Sequence, residues 1–497
     1  MKKIASGYRL ILGYLGLFLI FIGLTVLFPL IFFIFYPEEI SSWYCFVIPG
    51  VSALAVGITL FLLIAKRKHA KLQKHQDAIL IVLIWLIAIL FSAVPFILKG
   101  DLDFTKSIFE TTSAYGTVGL TVYNDACYAS HVFTLYRAIL CFVGGIGLVL
   151  IVTSAISDRY GIKLYIAEGH NDKLMPNLAA SARLILSIYF VIIALGVGAY
   201  CLAGMSPYDA IVHSISATST SGFSSRPEGL LAFETTTNYG AVQLITVFLM
   251  LAGSLNFLLH LLLITGKFKK FFKDCELKFF LILFVLFVPL VWLSAYANNN
   301  WTNGLDCLRT SAFTFISGIT TTGFTNASSM ISLGQAAILI FVITNIIGGG
   351  MGSTAGGVKQ YRIILVFKHF YWSVVERLSP SNMIYTHYVY RLGKEKTIDD
   401  QEVSEASGYL LLYISVLFFG TIIMSIVGSG QFDFGSALFE FSNAISGTGF
   451  TNGITATCSA GIHWILIAGM FLGRLEILAI FFALYRVGRD ILRKETR

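Results

Sequence analysis

Apolar stretches long enough to cross a lipid bilayer recur along the whole sequence, and they constrain the fold more than any other feature. A spanning helix needs about 20 predominantly apolar residues. About ten such stretches are present, at residues 8–36, 42–65, 78–99, 133–157, 183–204, 239–265, 279–297, 335–375 with an interruption, 406–428 and 461–486. Hydrophobic residues make up 56% of the chain and charged residues only 12%. This composition predicts an all-α integral membrane protein.

Basic residues cluster in alternate connections between these stretches, and such clusters favour the cytoplasmic side. They lie at the N-terminus, at 66–74, 158–183, 267–278 and 359–405, and in the C-terminal tail. Both termini are therefore expected in the cytoplasm, and the net charge of +8 reflects membrane topology. Because no basic block lies outside these loops, nucleic-acid binding is not indicated. The first stretch is too long for a removable signal peptide and is expected to remain as a helix.

The seven cysteines are scattered and include no CxxC pair. Neither a zinc site nor a disulfide framework is indicated. Pairing of Cys127 with Cys458 stays open at this level.

Four related segments each lie between two apolar stretches. They are ETTSAYGTVGLTV at 110–122, HSISATSTSGFSS at 213–225, TFISGITTTGFTN at 314–326 and EFSNAISGTGFTN at 440–452. Their central glycines are Gly119, Gly222, Gly323 and Gly449, separated by 103, 101 and 126 residues. Four residues of each repeat, here called the glycine segment, are the candidate site residues: Thr117, Val118, Gly119, Leu120; Thr220, Ser221, Gly222, Phe223; Thr321, Thr322, Gly323, Phe324; Gly447, Thr448, Gly449, Phe450.

A short amphipathic stretch precedes each glycine segment, at 105–116, 206–219, 305–319 and 434–446. Each is too short to span a bilayer and predicts a re-entrant helix. Ser206-Pro207 and Asp433 are helix-start signals for the second and fourth of them. The unit is thus helix, pore helix, filter and helix, repeated four times with pseudo-fourfold symmetry after two extra N-terminal helices. The predicted boundaries are 1–75 for the extension, 76–160, 161–270 and 271–375 for three repeats, 376–405 for a cytoplasmic loop, and 406–497 for repeat four and the tail.

Backbone that is not helical at membrane depth must be buried in protein or line a water-filled path. Four such segments around one axis would direct their carbonyls at one another, and a dehydrated monovalent cation would satisfy all of them. Glycine permits the positive φ angles and close approach that this needs, and the C-terminal ends of the re-entrant helices favour cations. No Asp or Glu stands at the central glycines, so neutral carbonyl coordination indicates a K+ selectivity filter. The sequence TVGL at 117–120 is similar to the TVGYG filter of potassium channels.

These residues resemble the Trk/Ktr/HKT superfamily of potassium transporters, most of all its bacterial TrkH/TrkG type. The resemblance covers about 78–490 and includes GGGMGSTAGGVKQYR at 348–362 and MFLGRLEI at 470–477. It implies K+ uptake, as a channel or symporter, across the bacterial cytoplasmic membrane, with no tightly bound cofactor. It also implies a homodimer regulated by a cytosolic ring of nucleotide-binding subunits. The basic loops and the segment 376–405 are candidate docking surfaces for that ring.

The resemblance further implies that glycine at all four central positions goes with K+ selectivity, whereas serine at the first goes with Na+ transport in some plant members. Gly119 therefore favours K+. Two positions depart from the pattern of the repeats: Gly447 replaces a hydroxyl residue, and Leu120 replaces phenylalanine.

A glycine-rich loop at 348–357 interrupts the apolar stretch that begins near Gly334. About fourteen helical residues at 1.5 Å each extend roughly 20 Å, so the loop is expected inside the bilayer, below the filter, where it must line a cavity. A phosphate-binding loop is not indicated, because Val358 stands where GxxxxGK requires lysine. The loop is either a packing kink or, as the resemblance favours, a flexible gate. The candidate gate residues are Gly348, Gly349, Gly350, Gly352, Ser353, Thr354, Gly356, Gly357 and Arg474.

Arg474 lies about thirteen residues into the last span, where a charge is usually functional or paired. The resemblance implies that it faces the pore below the filter and helps to close or tune it, and the alternative is an ion pair with Glu440 or Glu110. Lys359 is expected at the cytoplasmic edge rather than in the gate. Four residues that stand nine positions before the central glycines are expected to pack behind the filter, with ion ligation as the alternative: Glu110, His213, Thr314 and Glu440.

Two other classes of function make different predictions. An alternating-access transporter of Na+ or a small solute would contain inverted twofold repeats, whereas these four run in the same orientation. A membrane-embedded enzyme would need a convergent nucleophile, base or metal set, and the sequence contains none. The chain is therefore not expected to be an enzyme.

Overall fold

The computed structural model describes residues 2–65, 76–147, 178–298, 301, 303–380 and 386–495. Helices dominate the described residues. They are α1 Lys2–Leu27, α2 Tyr44–Ala65, α3 Gln76–Lys99, α4 Phe104–Gly116, α5 Asp125–Tyr128, α6 His131–Ile146, α7 Leu178–Leu202, α8 Pro207–Thr218, α9 Tyr239–Ser254, α10 Phe257–Ile264, α11 Phe268–Phe272, α12 Cys275–Ala297, α13 Gly304–Ile319, α14 Gln335–Ile347, α15 Gln360–Leu378, α16 Asp400–Val427, α17 Phe434–Ser446, α18 Ile454–Thr457, α19 Ala460–Arg474 and α20 Ile477–Glu495. Short 3-10 helices lie at Phe28–Ile34, Pro37–Ser42, Gly229–Phe233 and Met330–Leu333.

Within the described residues, the ten predicted apolar stretches are helical over most of their length. Among the described residues, six helices are long and apolar enough to cross a membrane alone: α1 with the 3-10 turn after it, α2, α3, α7, α12 and α16. Helices α6 and α14 are apolar but shorter, and two further spans consist of two helices each. The chain is therefore a multi-span membrane protein, as its composition predicts.

Two of the predicted spans are bent helix pairs rather than continuous helices, a detail that the hydropathy pattern does not predict. In the stretch 239–265, α9 and α10 meet at 111°, and in the stretch 461–486, α19 and α20 meet at 99°. The first bend is stabilised by the glycine-rich loop. The backbone N–H of Gly350 donates to the Ser254 carbonyl at 3.0 Å, and the Asn256 amide donates to the Met351 carbonyl at 2.6 Å. Backbone groups released by the bend thus find partners in a distant segment.

Four short helices, α4, α8, α13 and α17, match the predicted re-entrant stretches to within two residues. Each follows a long helix and leads directly into a glycine segment. Ser206 caps α8 as predicted, accepting from the Asp209 backbone N–H, and Asp433 stands at the start of α17. The sequence analysis missed two further caps: Asp103 accepts from the Lys106 N–H, and Asn303 from the Leu305 N–H.

A small hairpin lies between α15 and α16, within the predicted loop 376–405. Strand β1 (Tyr388–Arg391) pairs antiparallel with β2 (Lys394–Thr397). The backbone N–H of Leu392, at the turn, donates to the Asp274 carboxylate at 2.8 Å. The hairpin is therefore held against the start of α12. The predicted cytoplasmic basic residues at 66–74 and most of the loop 158–183 lie outside the described residues.

Candidate functional site

The four glycine segments meet in a closed ring. In each repeat, a Cβ added to the central glycine would lie closer than 3.0 Å to the carbonyl oxygen of the residue before the next central glycine. The pairs, from glycine to carbonyl, are Gly119 to Ser221, Gly222 to Thr322, Gly323 to Thr448 and Gly449 to Val118. Because the fourth segment contacts the first, backbone from all four repeats surrounds one centre. The sequence predicted that the four glycine segments would come together, and the structure places each central glycine against the next segment.

The same left-handed backbone conformation occurs twice in each segment. The central glycines have φ between 70° and 90°. Two residues earlier, Thr117, Thr220 and Thr321 all have φ of 52°, and Gly447 has φ of 74°. Non-glycine residues rarely adopt this region, so glycine at position 447 relieves a strain that the three threonines carry. The departure of Gly447 from the pattern thus preserves the local geometry.

Each short helix ends in a hydrogen-bonded turn that connects its C-terminus to the ring. The residue before the central glycine donates its backbone N–H to the carbonyl five residues earlier. These bonds are Val118 to Ser113 at 2.8 Å, Ser221 to Ser216 at 2.9 Å, Thr322 to Ser317 at 2.8 Å and Thr448 to Asn443 at 3.1 Å. The partially negative ends of four helices therefore lie beside the ring, where they favour a cation.

In repeats one, two and four, the residue nine positions before the central glycine contacts the hydroxyl side chain two positions after that glycine. Glu110 accepts from the Thr121 hydroxyl at 2.9 Å, and Glu440 accepts from the Thr451 hydroxyl at 2.6 Å. These carboxylates are completely buried. The repeat-two pair follows the same pattern, since His213 Nε2 lies 3.1 Å from Ser224 Oγ. Repeat three differs: its hydroxyl residue, Thr325, accepts from the Ala327 backbone N–H at 3.0 Å. Packing behind the ring, as predicted, is therefore confirmed for Glu110, His213 and Glu440.

The glycine-rich loop lies directly against the ring. The Gly356 backbone N–H donates to the Thr321 hydroxyl at 2.7 Å, and the hydroxyls of Thr354 and Thr220 are 3.0 Å apart. A Cβ on Gly356 would come closer than 3.0 Å to the Ser446 carbonyl. The loop therefore touches repeats two, three and four at the ends of their short helices.

A cavity lies between the ring and this loop, and its wall carries two basic side chains. Thr117, Gly356, Lys359, Arg474 and Glu476 contribute to its lining. The Lys359 ammonium donates to a loop carbonyl, that of Ala355. Two basic groups and the Glu476 carboxylate therefore lie in the wall of one cavity.

Arg474 donates to backbone carbonyls of two separate segments. Nη1 lies 3.3 Å from the Thr354 carbonyl, Nη2 donates to the Gly144 carbonyl, and the guanidinium is 5.8 Å from the Trp85 ring. The alternative of a pair with Glu110 is not supported, since Glu110 pairs with Arg137 at 2.8 Å. The Glu440 carboxylate likewise accepts from threonine hydroxyls. Arg474 therefore links the glycine-rich loop to α6.

Arg137 is the main residue of the site that the sequence analysis missed. It lies inside the apolar stretch 133–157, where an ionisable side chain is itself a functional signal. The same signal identified Arg474, so the sequence contained the information.

Comparisons with known proteins agree with this architecture. A family model described as TrkH, cation transport protein, matches residues 54–487. The Trk system potassium uptake protein TrkH of Salmonella typhimurium is 28% identical, covering 95% of this chain and 97% of the relative. An uncharacterised cation transporter of Methanocaldococcus jannaschii is 26% identical, covering 99% and 98%. The crystal structure of the potassium transporter TrkH from Vibrio parahaemolyticus matches with a TM-score of 0.83 at 25% identity, covering 96% of this chain and 98% of that one.

The family match spans most of the chain and includes all four repeats. Transport of a cation, without enzymatic chemistry or a tightly bound cofactor, is what this family does. The closed ring and the comparisons together show that the chain belongs to the TrkH family of cation transport proteins.

Proposed function

We propose that this protein takes up K+ across the cytoplasmic membrane through the ring of glycine segments, which serves as its selectivity filter. The observation that supports this is the closure of the ring, in which each central glycine lies against a carbonyl of the next repeat. Backbone carbonyls arranged in this way replace the hydration shell of a K+ ion. Potassium is also the ion named for the Salmonella and Vibrio relatives. The ring residues are those of the four segments defined above.

Growth of a bacterium deficient in K+ uptake tests this function at low external K+. The wild type is expected to restore growth, and Gly119→Ser is expected to lose the preference for K+ over Na+. The added side chain would collide with the Ser221 carbonyl and force the ring open. Gly198→Ser is the matched control, because a Cβ there meets nothing within 4 Å. Uptake and selectivity that are the same in Gly119→Ser as in the wild type would exclude this glycine from the filter.

The same assay separates K+ uptake from transport of another ion or solute. A wild-type protein that carries Na+ but does not restore growth at limiting K+ would favour the alternative of a Na+ transporter.

Residues 348–357 and Arg474 form the gate in this proposal. The loop is bonded to the ring at Thr321, and Arg474 holds the loop at the Thr354 carbonyl. Replacing the cation by a neutral amide, Arg474→Gln, removes both the anchor and the repulsive charge. We expect a higher K+ flux from liposomes loaded with this variant than with the wild type. Arg309→Gln, at a half-exposed arginine of α13, is the control; an unchanged or lower flux in folded Arg474→Gln would argue against the gate.

The assembly proposed from the family is a homodimer that binds a cytosolic ring of nucleotide-binding subunits through its basic loops and the segment 376–405. Light scattering of the detergent-solubilised protein tests the dimer. Reporter fusions at each end test the cytoplasmic position of both termini in the bacterial inner membrane. Flux measured under imposed H+ and Na+ gradients tests symport, since coupling predicts that one gradient drives K+ uphill.

A further inference from the structure

Arg137 is a buried cation behind the ring that the proposed mechanism does not use. It lies on α6, and its side chain is 1% exposed. Its Nη1 is 2.8 Å from Oε1 of Glu110, whose side chain is completely buried. Two charges removed from water in this way are stable only with good geometry and further hydrogen bonds. The remaining partners of the guanidinium are therefore informative.

The guanidinium connects two neighbouring repeats. Nη1 also donates to the Thr121 hydroxyl at 3.3 Å, and Nη2 donates to the Ser224 backbone carbonyl at 2.7 Å. Thr121 and Ser224 each stand two residues after a central glycine, in repeats one and two. Because the guanidinium is planar and rigid, it fixes the separation between the outer ends of these two glycine segments.

Aromatic rings enclose the same guanidinium. Its centre lies 4.1 Å from the Tyr123 ring and 4.5 Å from the Phe223 ring. Phe223 directly follows the central glycine of repeat two. Ring faces attract a cation and exclude water, and hydrogen bonds are stronger where water is excluded. The arginine therefore restrains the Phe223 side chain as well as Thr121 and Ser224.

Two other junctions of the ring have uncharged contacts. Between repeats two and three, the His213 ring stacks on Phe324 with centroids 5.8 Å apart. Between repeats three and four, the rings of Phe341 and Phe450 are 5.5 Å apart. Asn345 also donates to the Ser442 hydroxyl at 3.1 Å. Among the residues that the structure describes, these junctions show ring contacts and neutral hydrogen bonds, whereas the first junction has an ion pair bonded to both repeats.

We propose that Arg137 is a positioning residue that sets the K+ selectivity of the ring. By fixing the first two glycine segments at a set separation, it prevents their carbonyls from moving inward onto the smaller Na+ ion. This inference rests on the proposed function, because it assumes that the ring is the selectivity filter. Arg137 itself acts through Thr121, Ser224 and Phe223 and does not touch the ion.

Arg137→Lys tests the inference while keeping a positive charge beside Glu110. A lysine ammonium cannot reach Glu110, Thr121 and the Ser224 carbonyl at once with a planar fork. Two readouts are measured: the ratio of K+ to Na+ flux in liposomes, and the difference in Tm between K+ and Na+ buffers. We expect the flux ratio to fall at least threefold and the Tm difference to shrink by at least half. Arg309→Lys is the control, because its pair with Asp306 is half exposed and far along α13 from the ring.

The outcomes separate this inference from the proposed function. A wild type without a K+ preference in either readout would overturn the filter itself. A wild type with that preference and an Arg137→Lys variant with the same flux ratio and Tm difference would overturn only the role of Arg137. A purely structural role would lower Tm equally in both buffers. Should Arg137→Lys not fold, Glu110→Gln, which keeps the shape and an acceptor oxygen, decides by the same readouts.

Discussion

Glu110 and Glu440 occupy the same position of the repeat, nine residues before a central glycine, and both are fully buried. They are stabilised in different ways. Glu110 has a counter-charge, Arg137, at 2.8 Å. Glu440 accepts hydrogen bonds from the hydroxyls of Thr451 and Thr455 and from the Thr455 backbone N–H at 3.0 Å. Repeat four therefore stabilises its carboxylate with neutral donors from its own segment.

The difference shows that one structural task can be met with or without a cation. Both carboxylates hold the hydroxyl residue two positions after the glycine, Thr121 or Thr451. A carboxylate can be buried when it is either paired with a positive charge or fully hydrogen-bonded. In repeat one the counter-charge also reaches the Ser224 carbonyl of repeat two. The contacts of Glu110 and Arg137 therefore connect repeats one and two, whereas those of Glu440 stay within repeat four.

Removing each carboxylate is the strongest way to break this comparison. Glu110→Ala leaves the Arg137 cation buried without its partner, and we expect a loss of about 3–5 kcal/mol in the free energy of unfolding. Glu440→Ala leaves neutral donors unsatisfied, which costs about 1–3 kcal/mol. Denaturant unfolding in detergent measures both. Equal losses would show that the ion pair has no special weight.

A double variant sharpens the same comparison. Glu110→Gln combined with Arg137→Met removes both charges, and replacing a buried pair by neutral groups is often close to neutral in stability. We expect it to be about 2 kcal/mol more stable than Glu110→Ala. Its K+ to Na+ flux ratio is expected to stay low, because the link to Ser224 is absent. Full recovery of selectivity with stability would contradict the positioning role of Arg137.

The smallest effect is expected at Gly447, where repeat four departs from the others. Gly447→Thr restores the residue found at 117, 220 and 321, in a left-handed conformation that costs about 1–2 kcal/mol. Space is available, since the nearest atoms to an added Cβ are carbonyl oxygens at 3.8 Å. Unfolding and flux assays are expected to show this modest destabilisation with unchanged selectivity. A loss of K+ selectivity would show that repeat four differs from repeat one at this position as well.

The repeated sequence segments predicted the ring, but they did not predict the tertiary contacts that hold it. The columns around Gly119, Gly222, Gly323 and Gly449 repeat in the sequence, so their convergence could be inferred from symmetry. The bend after Ser254 could not, because hydropathy continues unbroken through it. The bend is held by a contact between residues 95 positions apart along the chain, Asn256 with Met351. Pairing of Arg137 with Glu110 depends on tertiary contact in the same way.

A ring built by one polypeptide has a property that a ring of four identical subunits lacks. In a homotetramer, every substitution is present four times around the axis, so all walls of the opening change together. Here each wall is encoded separately. A mutation can therefore change one junction, such as that at Arg137, while the junctions at His213 and Phe450 keep their shape. A single substitution in this chain can thereby change ion preference in small steps.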